Sequence, residues 1–133
     1  MRRLISGARV ARLGTIDPDH GVHVVPITFA LIDDVVVTAV DHKPKRSRRL
    51  RRVANIERNH HVTVLVDHYE DDWTRLWWCR LSGIARVIYQ GDEFDQAVNA
   101  LVSRYEHYRE IRPAGPVIRI AVDDQTGWAA ATD

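Results

Sequence analysis

The sequence predicts an α+β fold that is mainly β: about six antiparallel strands and two short helices, closed into a small barrel. Three observations lead there. β-Branched, apolar runs recur between turn-forming residues along most of the chain. Only two segments carry helical spacing. Closing so small a sheet also removes the exposed edges that would otherwise pair with other chains. At 133 residues the chain has the length of one domain, residues 1–133.

Ala8 to Ile16 reads as the first strand, and Asp17-Pro18-Asp19-His20-Gly21 as a turn, with proline fixing φ and glycine supplying a positive one. Val22 to Leu31 and Val35 to Val40 follow as strands broken at Asp33-Asp34, so the first three strands are expected to form an antiparallel meander. Ser47 has the chemistry of a helix N-cap, and Leu50, Val53 and Ala54 make one apolar stripe on a helix ending near Arg58. His61 to Asp67 is a fourth strand and Leu76 to Tyr89 a long fifth one, bent near Gly83. The loop between them is acidic and aromatic. Phe94 to Tyr108 has helical spacing with Asp92 as its expected cap, and Val117 to Val122 is the last strand after Pro113-Ala114-Gly115-Pro116.

Composition narrows the function. Hydrophobic residues at 45% and charged residues at 28% are ordinary globular proportions. A net charge of +1 gives no general attraction to nucleic acid or membrane. No stretch approaches the roughly 20 apolar residues of a membrane span. Cys79 is the only cysteine, so no intrachain disulfide forms, and the expected location is the reducing cytoplasm.

The even charge balance conceals a local excess. Lys43, Lys45, Arg46, Arg48, Arg49, Arg51 and Arg52 place seven of the 19 basic residues within ten positions. This segment leaves a strand, passes Pro44 and enters a helix, where free backbone N–H groups and the positive end of the helix favour a phosphate. Lysine and arginine side chains there add charge-assisted bonds. A solvated helix face would also be basic, but here the charges begin in the loop before the helix. A nucleic-acid patch would want interleaved aromatics, and this segment has none.

These residues carry a resemblance. Leu13-Gly14-Thr15-Ile16, the turn after it and His23-Val24-Val25-Pro26-Ile27 resemble the opening strands of the split β-barrel flavin and deazaflavin oxidoreductases, relatives of pyridoxamine 5′-phosphate oxidase. Val40-Asp41-His42-Lys43-Pro44-Lys45-Arg46, with Asp67-His68-Tyr69-Glu70-Asp71-Asp72-Trp73 and Leu76-Trp77-Trp78-Cys79-Arg80, is similar to an actinobacterial branch dependent on coenzyme F420, a deazaflavin. The resemblance implies a homodimer with the cofactor ring at the subunit interface. It places Pro26 and Ile27 on one strand and Thr38 and Val40 on another beside the ring. It assigns the cofactor phosphate to Lys43, Lys45, Arg46 and Ser47, with Arg49 behind. Trp78, five positions before Gly83, is expected to meet the partner subunit's cofactor. A tryptophan there departs from the polar residue of the oxidases and disfavours pyridoxamine phosphate as substrate.

The expected activity is hydride transfer from reduced coenzyme F420 to a small organic acceptor. Flavin mononucleotide is the alternative cofactor, and a non-catalytic cofactor- or haem-binding barrel the alternative class. Arg48, Arg51 and Arg52 continue beyond the phosphate loop, where the acidic tail of coenzyme F420 would meet them. No residue is assigned as a catalytic acid, base or nucleophile. A metal centre is not expected, since His60 and His61 point to opposite faces of a strand and the acidic loop reads as a solvated connection. Trp77 and Trp78 are likewise expected on opposite faces, one packing and one free to border a planar ligand.

Overall fold

The computed structural model describes residues 1–40 and 50–130. In chain order the elements are α1 (Arg2–Gly7), β1 (Ala11–Asp17), β2 (Gly21–Ile27), β3 (Ala30–Ile32), β4 (Val35–Ala39), α2 (Arg51–Arg58), β5 (His61–His68), a 3₁₀ turn (Trp73–Arg75), β6 (Trp77–Ile88), α3 (Asp92–Arg104), α4 (Glu106–Glu110) and β7 (Val117–Ala129). All strands join one antiparallel sheet in the order β2-β1-β5-β6-β7-β4-β3. The mainly-β architecture is as expected, with seven strands rather than six.

The additional strand arises because the run from Val22 to Leu31 turns at Thr28-Phe29 instead of continuing. Phe29 is fully buried, and its backbone N–H and C=O lie 3.1 and 3.0 Å from the Tyr105 hydroxyl, so they leave the ladder. Thr28 Oγ1 bonds the Tyr108 hydroxyl at 2.8 Å. The two strands on either side of this turn, β2 and β3, are the two outer strands of the sheet. Two residues therefore join its ends, and the sheet curls into a split barrel. The expected meander is replaced by two hairpins, β1–β2 and β3–β4, at opposite ends of the strand order. The long strands β5 to β7 lie between them.

Barrel interior positions follow the period of two: Leu13, Phe29, Val36, Val64, Val66, Leu81, Ile118 and Ile120 form the main core, with Ile56 of α2 packed onto them. A second core lies where Val37, Ala39 and Val117 meet Val98, Leu101 and Tyr105 of the α3 segment. Strand β4 is thus buried on both faces. Cys79 is fully buried in the main core, and burial pushes its thiol pKa up.

The helices differ from expectation at their ends. Helix α2 starts at Arg51 with Leu50 in extended conformation (φ −67°, ψ 141°) as its cap; Ser47, the expected cap, lies outside the described residues. Asp92 is the first helical residue of α3 rather than its cap; Gly91, at φ 105°, precedes it, and Asp92, Glu93 and Asp95 complement the helix dipole. The expected run to Tyr108 breaks at Tyr105, whose extended backbone (φ −121°) accompanies a hydroxyl drawn to Phe29 and Arg9. Helix α1, which has no periodic signal over six residues, anchors itself with the buried Ile5. No helix among the described residues is long and apolar enough to cross a membrane.

Candidate functional site

Strand alternation turns His23 and Val25 of β2 toward α2, and helical spacing places Arg51, Ala54, Asn55 and Arg58 (i, i+3, i+4, i+7) on the facing side. Between them lies a cleft of about 620 Å³ lined by His23, Val25, Arg51, Arg52, Asn55 and Arg58, among others. Its back wall is fixed by a bond from Asn55 Nδ2 to Thr15 Oγ1 at 3.0 Å, both side chains buried. His23 Nδ1 is buried without a hydrogen-bond partner among the described residues. A buried polar atom of this kind ordinarily has a partner, and here it borders a cavity rich in arginine.

Asp17 closes one end of the cleft. Its carboxylate, 3% exposed, accepts 2.6 Å from Arg51 Nη1 and 2.9 and 3.2 Å from the Asp19 and His20 backbone amides. The Arg51 hydrogen bond first, and the Asp19 amide second, lower its pKa from 3.8 to about 2. The folded state therefore binds fewer protons than the unfolded chain between those values. The stabilisation is fully present above the unfolded pKa and is lost as pH falls toward the folded one. Urea midpoints of the protein should drop between about pH 4 and pH 2, and Asp17→Asn should flatten that acid limb. An identical acid limb in the variant would remove Asp17 as its source. Arg51 is thereby tied to Asp17 through Nη1, while its side chain stays half-exposed beside the cleft.

The outer face of the sheet is the second feature. Register aligns Pro26, Arg12, Leu65, Arg80 and Thr126 in one row across β2, β1, β5, β6 and β7. The neighbouring row holds Asp67, Trp78 and Trp128. Arg12 pairs with Asp67 at 3.3 Å, and the Arg80 guanidinium stands 5.4 Å from the Trp78 ring centroid. Val22, Val24 and Trp128 are 73%, 58% and 47% exposed, so this face carries exposed apolar side chains on either side of Arg12, Asp67 and Arg80.

The predicted site residues divide between these regions. Pro26 and Trp78 share the outer face, three strands apart, while Trp77 packs in the core, as alternation requires. Ile27, Thr38 and Val40 are buried, Ile27 and Val40 in the main core, and Thr38 Oγ1 has no hydrogen-bond partner among the described residues. Lys43, Lys45, Arg46, Ser47 and Arg49 lie outside the described residues; Leu50, next along the chain, lines the cleft. His23, Asn55, Arg58 and Trp128 are the residues that sequence reasoning missed. Asn55 and Arg58 carried a signal in their spacing from Arg51, whereas Trp128 follows a polar run that reads as loop.

An antiparallel barrel closed at Thr28-Phe29, with an arginine-lined cleft between strand and helix, defines a split β-barrel. The chain belongs to the pyridoxamine 5′-phosphate oxidase family, whose model matches residues 1–129. A search of curated proteins finds no match. Among solved structures, the conserved hypothetical protein Rv2991 from Mycobacterium tuberculosis is similar at TM-score 0.77 and 18% identity, covering 96% of this chain and 81% of that one. A heme binding protein from Mycobacterium smegmatis matches at TM-score 0.70 and 15% identity, over 92% of this chain and 53% of that one. A FAD-binding protein from Mesorhizobium loti matches at TM-score 0.62 and 20% identity, over 95% and 89%. At such identities the likeness is one of fold.

Proposed function

We propose that this chain, as a single split-barrel domain, is a cytoplasmic homodimeric oxidoreductase that uses reduced coenzyme F420 to transfer a hydride to a small organic acceptor. The observation that carries this reading is the cleft lined by Leu50, Arg51, Arg52 and Arg58 and by His23, whose Nδ1 has no partner among the described residues. These donors fit an anionic cofactor: Lys43, Lys45, Arg46 and Ser47, with Arg49 behind, hold its phosphate, and Arg58 meets carboxylates beyond it. The exposed Val22, Val24 and Trp128 side chains support a second copy packed against this face, with Trp78 delivered to the neighbouring subunit's ring. Pro26 borders the ring through its side chain. Ile27, Thr38 and Val40, turned into the barrel, offer a ligand outside it only backbone.

When bound, the deazaflavin supplies the hydride chemistry; the chain supplies binding, orientation and exclusion of water. Flavin mononucleotide is the competing reading, favoured by the fold shared with a FAD-binding protein. The two cofactors differ beyond the phosphate, where only the deazaflavin continues into an acidic tail. Exposed ion pairs contribute about 0–1 kcal/mol each and are screened by salt. In parallel fluorescence titrations the deazaflavin should bind more tightly than flavin mononucleotide at low salt. The gap should narrow at high salt and in Arg58→Ala. Tighter, salt-independent binding of flavin mononucleotide would reverse the assignment.

A further inference from the structure

A second cleft, of about 640 Å³, opens at the end of the barrel between α1, the β5–β6 connection and the end of β7. None of its lining residues belongs to the α2 cleft. Its apolar surface comes from Leu4, Val10, Leu76 and Trp77, and its charged rim from Arg3, Arg9, Arg75, Asp67 and Glu70. A space of this size suits an organic molecule of ordinary cofactor or drug dimensions.

The charges decide which kind of molecule. Glu70 is satisfied within the cleft: His68 Nε2 lies 2.5 Å from Oε2 and Arg75 Nε donates to the same atom at 3.1 Å. These bonds, His68 first, hold the Glu70 carboxyl below its ordinary pKa. Asp67 is satisfied from outside the cleft by Arg12. Both carboxylates therefore have cationic partners. Arg9 is held in place by a bond to the Arg104 carbonyl at 2.9 Å and by the Tyr105 ring, 4.7 Å from its guanidinium carbon. Neither contact neutralises its charge, and no carboxylate among the described residues pairs with Arg9 or Arg3. Arg3 and Arg9, with no carboxylate partner among the described residues, therefore border a cleft with apolar surface, which suits an anion attached to an apolar body.

We infer that this cleft binds an organic anion with an apolar body, its acidic group at Arg3 and Arg9 and its body on Leu4, Val10 and Trp77. The full chain, free of cofactor, can be titrated with 1-anilinonaphthalene-8-sulfonate and with its uncharged relative N-phenyl-1-naphthylamine, following probe fluorescence. The sulfonate should bind about tenfold more tightly than the neutral probe. Arg3→Glu should weaken sulfonate binding by about tenfold or more and leave the neutral probe within about twofold. Arg3 is exposed on α1, so its exchange leaves the core intact. Val10→Asp, on the cleft wall, should weaken both probes. Equal affinity of the two probes, or sulfonate binding untouched by Arg3→Glu, would overturn the inference. The latter result would place the probe on the exposed strand face instead. Because no cofactor is present, these outcomes do not depend on the choice between deazaflavin and flavin.

Discussion

Gly83→Ala is expected to abolish the folded barrel. A Cβ at this position would sit 2.1 Å from the Ala121 carbonyl oxygen, 2.8 Å from its carbon and 3.0 Å from Val122 Cα. All three are backbone atoms of β7, so no rotamer change relieves the clash. The position is also where the β6–β7 register shifts, between Ser82 and Gly83, allowing the long β6 strand to bend around the core. Overpacking usually costs about 1–3 kcal/mol and more when backbone must move. For a domain with a total stability of about 5–15 kcal/mol, separating β6 from β7 is expected to exceed the tolerable loss. Circular dichroism and urea unfolding should show no cooperative transition for the variant. A midpoint like that of the unaltered chain would mean that the two strands are not this close.

The second large effect is on binding. Replacing Lys45 and Arg46 together by alanine should weaken cofactor affinity by about 3–6 kcal/mol, taking about 1.5–3 kcal/mol for each hydrogen bond to a charged group. That corresponds to roughly a hundredfold to more than ten-thousandfold in Kd. Stability should change little, because α2 begins beyond these residues and its cap is Leu50. Fluorescence titration measures the first quantity and thermal unfolding the second. Unchanged affinity in a folded double variant would remove the basic segment from the site.

Much of the barrel was legible because its strands carry their own signal. The apolar alternation of β1 and β5 and the β-branched run of β4 need no information from elsewhere in the chain. That Trp77 and Trp78 stand on opposite faces follows from the period of two alone, whereas which of them packs in the core needed the register of β6. The turn at Thr28-Phe29 was not legible, since the groups that hold it are Tyr105 and Tyr108. Nothing in the local sequence announces partners so remote. The second half of β7 was hidden for a related reason: Asp123 to Gly127 has low strand propensity, and pairing with β6 overrides it. Trp128 was lost with that segment. The concentration of positive charge could be read directly, whereas the roles of His23, Asn55 and Arg58 required the facing of β2 and the register of α2.

The position of β7 has a consequence for biosynthesis. The β3–β4 hairpin joins the rest of the main-chain ladder only through β7, which pairs with β4 on one side and β6 on the other. On the ribosome, four strands of one part and two of the other are complete before β7 emerges. Until then β4 and β6 each present an unpaired edge, the kind of surface that recruits foreign strands. The sheet is joined only once β7 bridges β4 and β6, so both of those edges stay open to foreign strands until it emerges.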